Sequence, residues 1–576
     1  MRQLRNLFVI AFCFAGCQTT KTPSDHSSLK TFCNPINLSY RFCIDEPSRR
    51  EAADPSVVWF KDRYFLFVSK SGGYWHSQNL TDWIFIVTSE IPTEEYAPTA
   101  IVIEDTIYFL ASSNEKSTLY KSSDPLSGKW SVVREELETP IWDPAFFFDE
   151  DERLYLYWGC SNAKPLYGVE LDYKNNFSFI GKPSELIHAN PGQYGWEVPG
   201  DYNTMIQTNP WIEGAWMNKY QGKYYLQYAG PGTEYKSYAD AVYVSDSPLG
   251  TYTLQPHNPF SYRPEGFAAG AGHGSTFSDP YGNYWHIGTI TISQKHMFER
   301  RLGLYPTFFD EQGTLHSITK YADYPMIMPQ KMVSGFEEIF PGWMLLSYDK
   351  KVEVSSSVDS LPSVNITDED IRTYWAAKSG NPGEFAMLDL GNECDVFAVQ
   401  INFAEDNTKI FGRTPGIFHK YAVEYSSDNN TWTSLTDQSD NQTDNSHIYI
   451  QLPTKISCRY LKINNVEVPG GNFAISGFRV FGNGNGEAPE IASNLTATRN
   501  PADKRKVSLS WNKSENADGY NISFGIDKNR LYHSYMVYKD TTLTINSLNA
   551  GQDYYFSIES FNGSGITKSM DVILAE

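Results

Sequence analysis

The chain has 576 residues, of which 41% are hydrophobic and 20% charged, the composition of a globular protein with about three domains. Its formal net charge of −21 argues against binding to nucleic acid or to an anionic membrane surface, because both require a basic face. Aromatic residues make up 15% of the chain, which favours a protein rich in β-strands.

The first residues predict a targeting segment. Residues 1–16 have a basic start and an apolar run from Leu7 to Ala15 that is too short to span a bilayer. The sequence Phe14-Ala15-Gly16-Cys17 resembles a bacterial lipoprotein box, which implies a lipid on Cys17 and a tether over residues 17–30. An ordinary secretory signal is the alternative. We expect a protein anchored in the bacterial cell envelope, on the periplasmic rather than the outer face, that contacts the membrane only through this lipid.

The cysteines do not predict a metal site. Beyond Cys17 there are five, and none shows the close pairing that metal sites require. A disulfide between Cys33 and Cys43 remains open at this point.

One unit recurs five times within residues 31–335. Each copy begins a second apolar strand 10 or 11 residues after its opening residue, and the openings are Asp54, Ala97, Asp143, Glu213 and His273. Such a repeat predicts a five-bladed β-propeller in which the first strand of every blade lines the central axis. Asp54, Asp143 and Glu213 are therefore expected to meet in one pocket.

The remaining sequence predicts two β-sandwiches, so the whole chain is expected to be all-β. Residues 351–482 contain short alternating strands such as Phe385–Leu390 and Tyr421–Tyr425, and they resemble a discoidin-like domain of the coagulation factor 5/8 C type. This resemblance implies a jelly roll of a kind that often binds carbohydrate. Residues 487–576 follow a Gly/Asn linker and resemble a fibronectin type III domain, with Tyr554 as its tyrosine corner.

Both sandwiches are expected to hold the propeller near a polymer or away from the membrane. Deleting residues 351–576 should then weaken action on insoluble polymer more than action on a small aryl glycoside.

Three acids that converge in a pocket indicate glycoside hydrolysis. That reaction needs one carboxylic acid to protonate the leaving oxygen and one carboxylate to activate water or to attack. It also needs the acid to keep its proton near neutral pH, which a neighbouring carboxylate promotes by like-charge repulsion.

The sequences around these acids resemble glycoside hydrolase family 43. The motifs are Arg50-Glu51-Ala52-Ala53-Asp54-Pro55, Trp142-Asp143-Pro144-Ala145-Phe146-Phe147-Phe148-Asp149, Ile212-Glu213-Gly214-Ala215-Trp216-Met217 and Gly272-His273-Gly274-Ser275. The resemblance implies inversion at arabinofuranosyl, xylosyl or galactosyl linkages, with Asp54 as general base, Glu213 as general acid and Asp143 raising the pKa of the acid and orienting it. Ala215 departs from the family, which usually has Pro there. Inversion predicts about 6.5–9.5 Å between the carboxyl groups of Asp54 and Glu213.

Further residues are weaker candidates for the same pocket. The resemblance places His273 beside the site, where it allows a water or a calcium ion, although no cofactor is required. Strand alternation lets only one of Arg300 and Arg301 face inward, and we expect Arg301 to bind substrate. Trp75 and Trp142 are expected to stack on sugar, with packing in the core as the alternative. Glu197, in a loop rich in Gly and Pro, is a less favoured acid.

We expect a carbohydrate substrate of plant type and, as activity, α-L-arabinofuranosidase or β-xylosidase. The alternatives are an exo-acting galactan hydrolase on the same scaffold, a carbohydrate-binding surface lipoprotein that has lost catalysis, and a retaining transferase acting on sucrose or fructan.

Overall fold

The computed structural model describes residues 29–576, and this part of the chain is almost entirely β-structure. The predicted signal peptide, Cys17 and all of the tether before residue 29 lie outside the described residues. Within the described part, the α-helix is a single turn, Phe336–Ile339, and no helix has the length and apolar character to cross a membrane.

Five four-stranded antiparallel sheets form the predicted blades, each with its strands in sequence order. The strands of blades 1 and 2 are Ser56–Phe60, Arg63–Phe67, Gly73–Ser77, Ile84–Val87; Thr99–Ile103, Thr106–Leu110, Leu119–Ser122, Ser131–Arg134. Those of blade 3 are Ala145–Phe148, Leu154–Trp158, Leu166–Asp172, Ser178–Ile187. Those of blades 4 and 5 are Glu213–Tyr220, Lys223–Gly230, Ala239–Ser245, Thr253–Leu254; Gly272–Ser278, Tyr284–Thr291, Arg300–Phe309, Leu315–Ser317.

The first strands of the five blades form a closed ring. The first strand of each blade contacts that of the next, and the first strand of blade 5 contacts that of blade 1. The spaces between blades are filled by apolar side chains, as where Phe67 of blade 1 meets Phe109 of blade 2 with ring centroids 5.4 Å apart. This packing buries the inner strands and exposes the outer ones, so that Leu154–Trp158 is buried throughout while Ile84–Val87 is largely exposed.

The second domain is one eight-stranded sheet system that begins before residue 351, the predicted boundary. Its first strand, Met344–Leu345, pairs with residues 481–482 of the last strand and therefore belongs to this domain. The strands are Met344–Leu345, Lys351–Val354, Trp375–Ala376, Phe385–Phe403, Lys420–Ser426, Thr433–Gln438, His447–Glu467 and Ala474–Asn483.

The third domain has two sheets. One contains Ser493–Arg499, Val507–Asn512 and Thr542–Ile545; the other contains Gly519–Gly525, His533–Tyr538, Tyr555–Asn562, Gly565–Lys568 and Ile573–Leu574. The backbone N–H of Asn549 donates to the hydroxyl of Tyr554 at 3.1 Å, as in a tyrosine corner. The fibronectin type III relationship itself stays a prediction.

The N-terminal segment connects the domains. Thr31–Phe32 pairs with Met326–Ile327, and Arg41–Phe42 pairs with Arg50–Glu51 just before blade 1. One hydrophobic cluster contains residues of all three domains, including Tyr324, Phe481 and Phe561. Cys33 and Cys43 are both free thiols, so the disulfide that the sequence left open is not formed.

Candidate active site

The opening residues of the blades turn sharply into the hub of the propeller. Asp54, Ala97, Asp143 and His273 all have left-handed backbone angles, with φ of 53°, 44°, 49° and 42°, and in blade 4 Gly214 has φ of 61°. Residues other than glycine rarely adopt this backbone conformation, and such residues are concentrated at functional sites. Its recurrence in every blade explains why residues far apart in sequence reach one place.

A polar side chain from the preceding blade fixes most of these turns. The N–H of Asp54 donates to Thr289 Oγ1 at 3.1 Å, that of Ala97 to Ser69 Oγ at 2.8 Å, and that of Asp143 to Ser112 Oγ at 2.9 Å. In blade 5 the carboxylate of Asp240 accepts from the N–H of His273 at 2.8 Å. The backbone of each of these opening residues is therefore anchored before any substrate binds.

Three side chains contact the carboxyl group of Asp54. Ser69 Oγ donates to its Oδ2 at 2.5 Å, Arg300 Nη1 donates to its Oδ1 at 3.0 Å, and His273 Nδ1 lies 3.2 Å from the same Oδ1. The other terminal nitrogen of Arg300 contacts Glu51 Oε1 at 2.6 Å, and all of these residues are buried.

Asp143 lies on the other side of His273, whose Nδ1 is 3.6 Å from Asp143 Oδ2. Burial, with the added charges of Glu213 and Asp54, raises the pKa of Asp143 to about 7 despite the opposing effect of His273. Burial disfavours the imidazolium of His273, but the three carboxylates outweigh it and raise the pKa of His273 above its usual value. Within this acid cluster (Asp54, Asp143, Glu213), Asp143 therefore ionises near neutral pH.

Glu213 is the partly exposed member of the acid cluster. The hydroxyl of Tyr238 donates to its Oε1 at 2.5 Å, and the thiol of Cys160 donates to its Oε2 at 3.1 Å. Burial and the neighbouring acids raise the pKa of both donors, so both stay protonated.

Ligand atoms of Asp143, Cys160 and Glu213 lie within 4.8 Å of one another, the one such grouping of potential metal ligands among residues 29–576. A calcium ion prefers carboxylate, carbonyl and water oxygens. His273 instead places its ring nitrogen against Asp54 and Asp143, so the suggested calcium rests on the family resemblance alone.

Gly214 makes room for His273. A Cβ at Gly214 would lie 2.5 Å from His273 Cγ, closer than real Cβ contacts. The glycine of the Glu-Gly motif thus lets the imidazole pack against blade 4, whereas the following Ala215 is simply buried.

Two predicted substrate-binding residues are wrong. Trp75 is 0% exposed and packs in the core against Phe85, because it lies on the third strand of its blade, away from the hub. Arg301 faces away from the acid cluster and donates to His447 of the second domain, whereas Arg300 faces Asp54. The prediction that only one of the two arginines faces inward is confirmed, but that residue is Arg300 rather than Arg301.

Glu197 is not part of the acid cluster. It is fully buried, and its carboxylate accepts from Tyr228 and from the backbone N–H of Asn190. Burial raises its pKa to about 7, yet its partners are those of a structural acid.

Trp142 borders a cleft beside Glu213. This aromatic cleft is lined by Trp142, Trp158, Cys160, Tyr167 and Phe179 among others and has a volume of about 700 Å³. Trp142 is 37% exposed, and Trp158 is stacked against Tyr167 with centroids 5.8 Å apart. Cys160 both lines this cleft and contacts Glu213, so a single side chain separates the cleft from that acid.

Sequence reasoning missed several residues of this site: Ser69, Ser112, Thr289, Tyr238 and Cys160. The three hydroxyl residues carried a signal, because they follow the opening residues of their own blades by 15 or 16 positions. Cys160 follows Asp143 by 17 positions and Tyr238 follows Glu213 by 25, so neither matches this spacing.

The fold is a five-bladed β-propeller with three carboxyl groups gathered at its hub. Residues 47–315 match the family described as Glycosyl hydrolases family 43, and residues 351–477 match the F5/8 type C domain. The propeller is therefore a family 43 glycosyl hydrolase domain, and the eight-stranded domain is an F5/8 type C domain.

Individual relatives are distant. A β-xylosidase of Xylanibacter ruminicola is 26% identical over 161 residues, which cover 23% of this chain and 42% of that protein. The chain thus aligns with less than half of this relative's length. Among solved structures, the protein titled Bacteroides ovatus Xyloglucan PUL GH43B is 14% identical with a TM-score of 0.42, covering 94% of this chain and 98% of that one. A xylan beta-1,4-xylosidase from Bacillus halodurans is also 14% identical, with a TM-score of 0.41 and coverages of 94% and 96%.

Proposed function

We propose that this protein is an inverting glycoside hydrolase that removes xylosyl or arabinofuranosyl units from plant-type polysaccharide or oligosaccharide. Asp54 acts as general base, Glu213 as general acid, and Asp143 modulates the acid. The observation that carries this proposal is the meeting of three carboxyl groups from blades 1, 3 and 4, with His273 between two of them.

Asp54 suits the role of the base. Arg300 and Ser69 both donate to its carboxyl oxygens and so fix the orientation of the group that accepts a proton from water. Arg300 is itself held by Glu51 and by the ring faces of Phe298 and Tyr96, at 4.9 and 5.8 Å from the centroids. In an inverting reaction the water lies between Asp54 and the anomeric carbon, and its oxygen attacks while its proton passes to Asp54.

Glu213 suits the role of the acid because it contacts Cys160, a residue of the aromatic cleft. Tyr238 binds Oε1 strongly, whereas Cys160, a weak thiol donor, contacts Oε2 on the cleft side. We assign the transferred proton to Oε2, which is the oxygen that a leaving group in the cleft meets. The leaving part of the substrate then stacks on Trp142.

The choice of sugar rests on two supports. The family resemblance of the motifs includes xylosyl and arabinofuranosyl linkages, and the curated relative is named a β-xylosidase. The test is turnover of aryl β-D-xyloside, α-L-arabinofuranoside and β-D-galactoside by the full chain. We expect a pentoside to be preferred at least about tenfold. Preference for the galactoside would favour the galactan alternative, and binding of all three without turnover would favour a non-catalytic carbohydrate-binding protein.

The stereochemistry has its own test. Proton NMR of the first product formed from the preferred glycoside should show the anomer opposite to that of the substrate. The same anomer would instead indicate a retaining enzyme, as in the transferase alternative.

We further propose that the protein is lipid-anchored through Cys17 in a bacterial envelope, on the periplasmic face. Radiolabelled palmitate should enter the wild-type protein but not a Cys17→Ser variant, and equal labelling would contradict the anchor. Resistance of the wild-type protein to protease added to intact cells would support the periplasmic face, whereas its cleavage would place the protein outside.

A further inference from the structure

In two pairs of adjacent residues, Arg50/Glu51 and Arg300/Arg301, one side chain faces the active site and the other faces the F5/8 type C domain. Glu51 and Arg300 face the acid cluster, where Arg300 bridges Glu51 and Asp54. Their neighbours Arg50 and Arg301 face the opposite way, because successive residues of a strand alternate.

Arg50 is fully buried against the F5/8 type C domain. Its Nε donates to Glu405 Oε1 at 2.6 Å, and its two terminal nitrogens donate to the two carboxylate oxygens of Asp444, each at 2.8 Å. A fourth bond goes from Nη1 to the backbone oxygen of Tyr40 at 2.7 Å. Both charges that neutralise this buried cation therefore come from the second domain.

Arg301 also links these two strands to the F5/8 type C domain. Its Nη1 donates to the backbone oxygens of Arg50 at 2.7 Å and Arg300 at 2.9 Å, while its Nε donates to His447 Nε2 at 2.8 Å. Burial and the two arginines lower the pKa of His447 well below its usual value, so this nitrogen is a free acceptor. The other ring nitrogen then donates to Asn402 Oδ1 at 2.8 Å.

We propose that the F5/8 type C domain is a positioning element of the active site. Through Arg50 and Arg301 it fixes the two strands from which Glu51 and Arg300 hold Asp54. This inference rests on the proposed role of Asp54 as the base. It differs from the polymer-targeting role expected from the sequence, because positioning affects every substrate alike.

The rest of the interface is built as a permanent contact. Arg479 of the F5/8 type C domain is buried, binds Glu369 through two nitrogens and donates to the backbone oxygen of Asp323 in the propeller. Tyr324 of the propeller packs on Phe481 with ring centroids 5.7 Å apart. A domain that only carries polymer to the enzyme does not need buried charges at the catalytic strands.

The test is the full chain carrying Glu405→Gln and Asp444→Asn together, which removes both charges from Arg50 with little change in shape. A displacement of about 1 Å at a catalytic group can cost about 100-fold in rate. We expect kcat on a small aryl glycoside to fall at least about tenfold, KM to change less than about threefold, and activity on polymer to fall by the same factor. The matched control is Asp389→Asn, which removes a carboxylate bound by both Arg459 Nε and Nη2 on the same domain, away from the propeller.

Thermal unfolding shows whether the variants are folded at the assay temperature. If the double variant is not, Asp444→Asn alone, which leaves Glu405 on Arg50, gives the same comparison. Unchanged kcat, or a loss confined to polymer, would overturn the positioning role. An inactive wild-type protein would instead refute the proposed function, so the two failures are distinguishable.

Discussion

Replacing Glu213 by glutamine separates the general acid from every other role of this side chain. In the wild-type protein Tyr238 donates to Glu213 Oε1 at 2.5 Å, and the amide keeps an oxygen for this bond. Its NH₂ group replaces Oε2, which lies 3.1 Å from Cys160 Sγ. Loss of the bond from a thiol, a weak donor, costs about 1 kcal/mol or less. The variant is therefore expected to fold and to bind substrate.

The catalytic loss is much larger than this structural cost. Proton transfer by a positioned side chain contributes about 10²–10⁴ in rate, which corresponds to about 3–5 kcal/mol in the barrier. The loss also depends on the leaving group, because an acidic phenol departs without help whereas a sugar alcohol needs a proton.

The assay is a series of aryl glycosides with leaving groups of graded acidity, followed by a xylo- or arabino-oligosaccharide. We expect Glu213→Gln to lose about 100-fold or more on the oligosaccharide and on poor aryl leaving groups, and less than about tenfold on dinitrophenyl glycoside. A uniform loss across the series, or unchanged turnover, would refute the assignment of Glu213 as the acid.

Two further predictions follow from the same site. Burial and acidic neighbours raise the pKa of Asp143 to about 7, so this carboxyl group gains a negative charge beside Asp54 and Glu213 as pH rises through about 7. We expect kcat to fall over that range; a pH–rate profile that stays flat to pH 9 would contradict this. Trp142→Ala should raise KM for oligosaccharides about 2- to 10-fold, the value of one lost stacking contact, while kcat on a small aryl glycoside is unchanged. Trp59→Ala is the matched control, since Trp59 is 39% exposed, similar to Trp142 at 37%; equal effects of the two variants would argue against substrate in the cleft.

The positions of the three acids followed from the sequence because they depend on a repeat. A fixed spacing from opening residue to second strand places Asp54, Asp143 and Glu213 at equivalent points of a closed ring. The propeller, its blade number and the sandwich that follows it are set by the same local patterns of strand and turn.

These local patterns do not determine which of Arg300 and Arg301 faces the hub. Which of two adjacent residues faces the hub depends on the register of their strand with its neighbour, where Arg300 pairs with Thr291 and Arg301 with Ile290. Two consecutive arginines carry no hydrophobic contrast that reveals this register. The prediction that Trp75 binds sugar was wrong for a related reason. Its burial comes from packing against Phe85 of the next strand, which the residues adjacent to Trp75 in the sequence do not reveal.

The partners of Arg50 were equally hidden. Glu405 and Asp444 lie 355 and 394 residues further along the chain and belong to another domain. No spacing rule connects residues so far apart, and only the packing of the two domains brings them together.

The most direct test of the acid cluster is to measure one glycosidase activity in three single variants side by side. Asp54→Asn, Asp143→Asn and Glu213→Gln each change one carboxyl to an amide on a different blade, and Asp151→Asn, at an exposed turn of blade 3, is the control. With a substrate that has a poor leaving group, we expect each of the three to lose at least about 100-fold in kcat/KM while the control retains full activity. Retention of wild-type activity by any one of the three would contradict the account of a shared catalytic centre at the propeller hub.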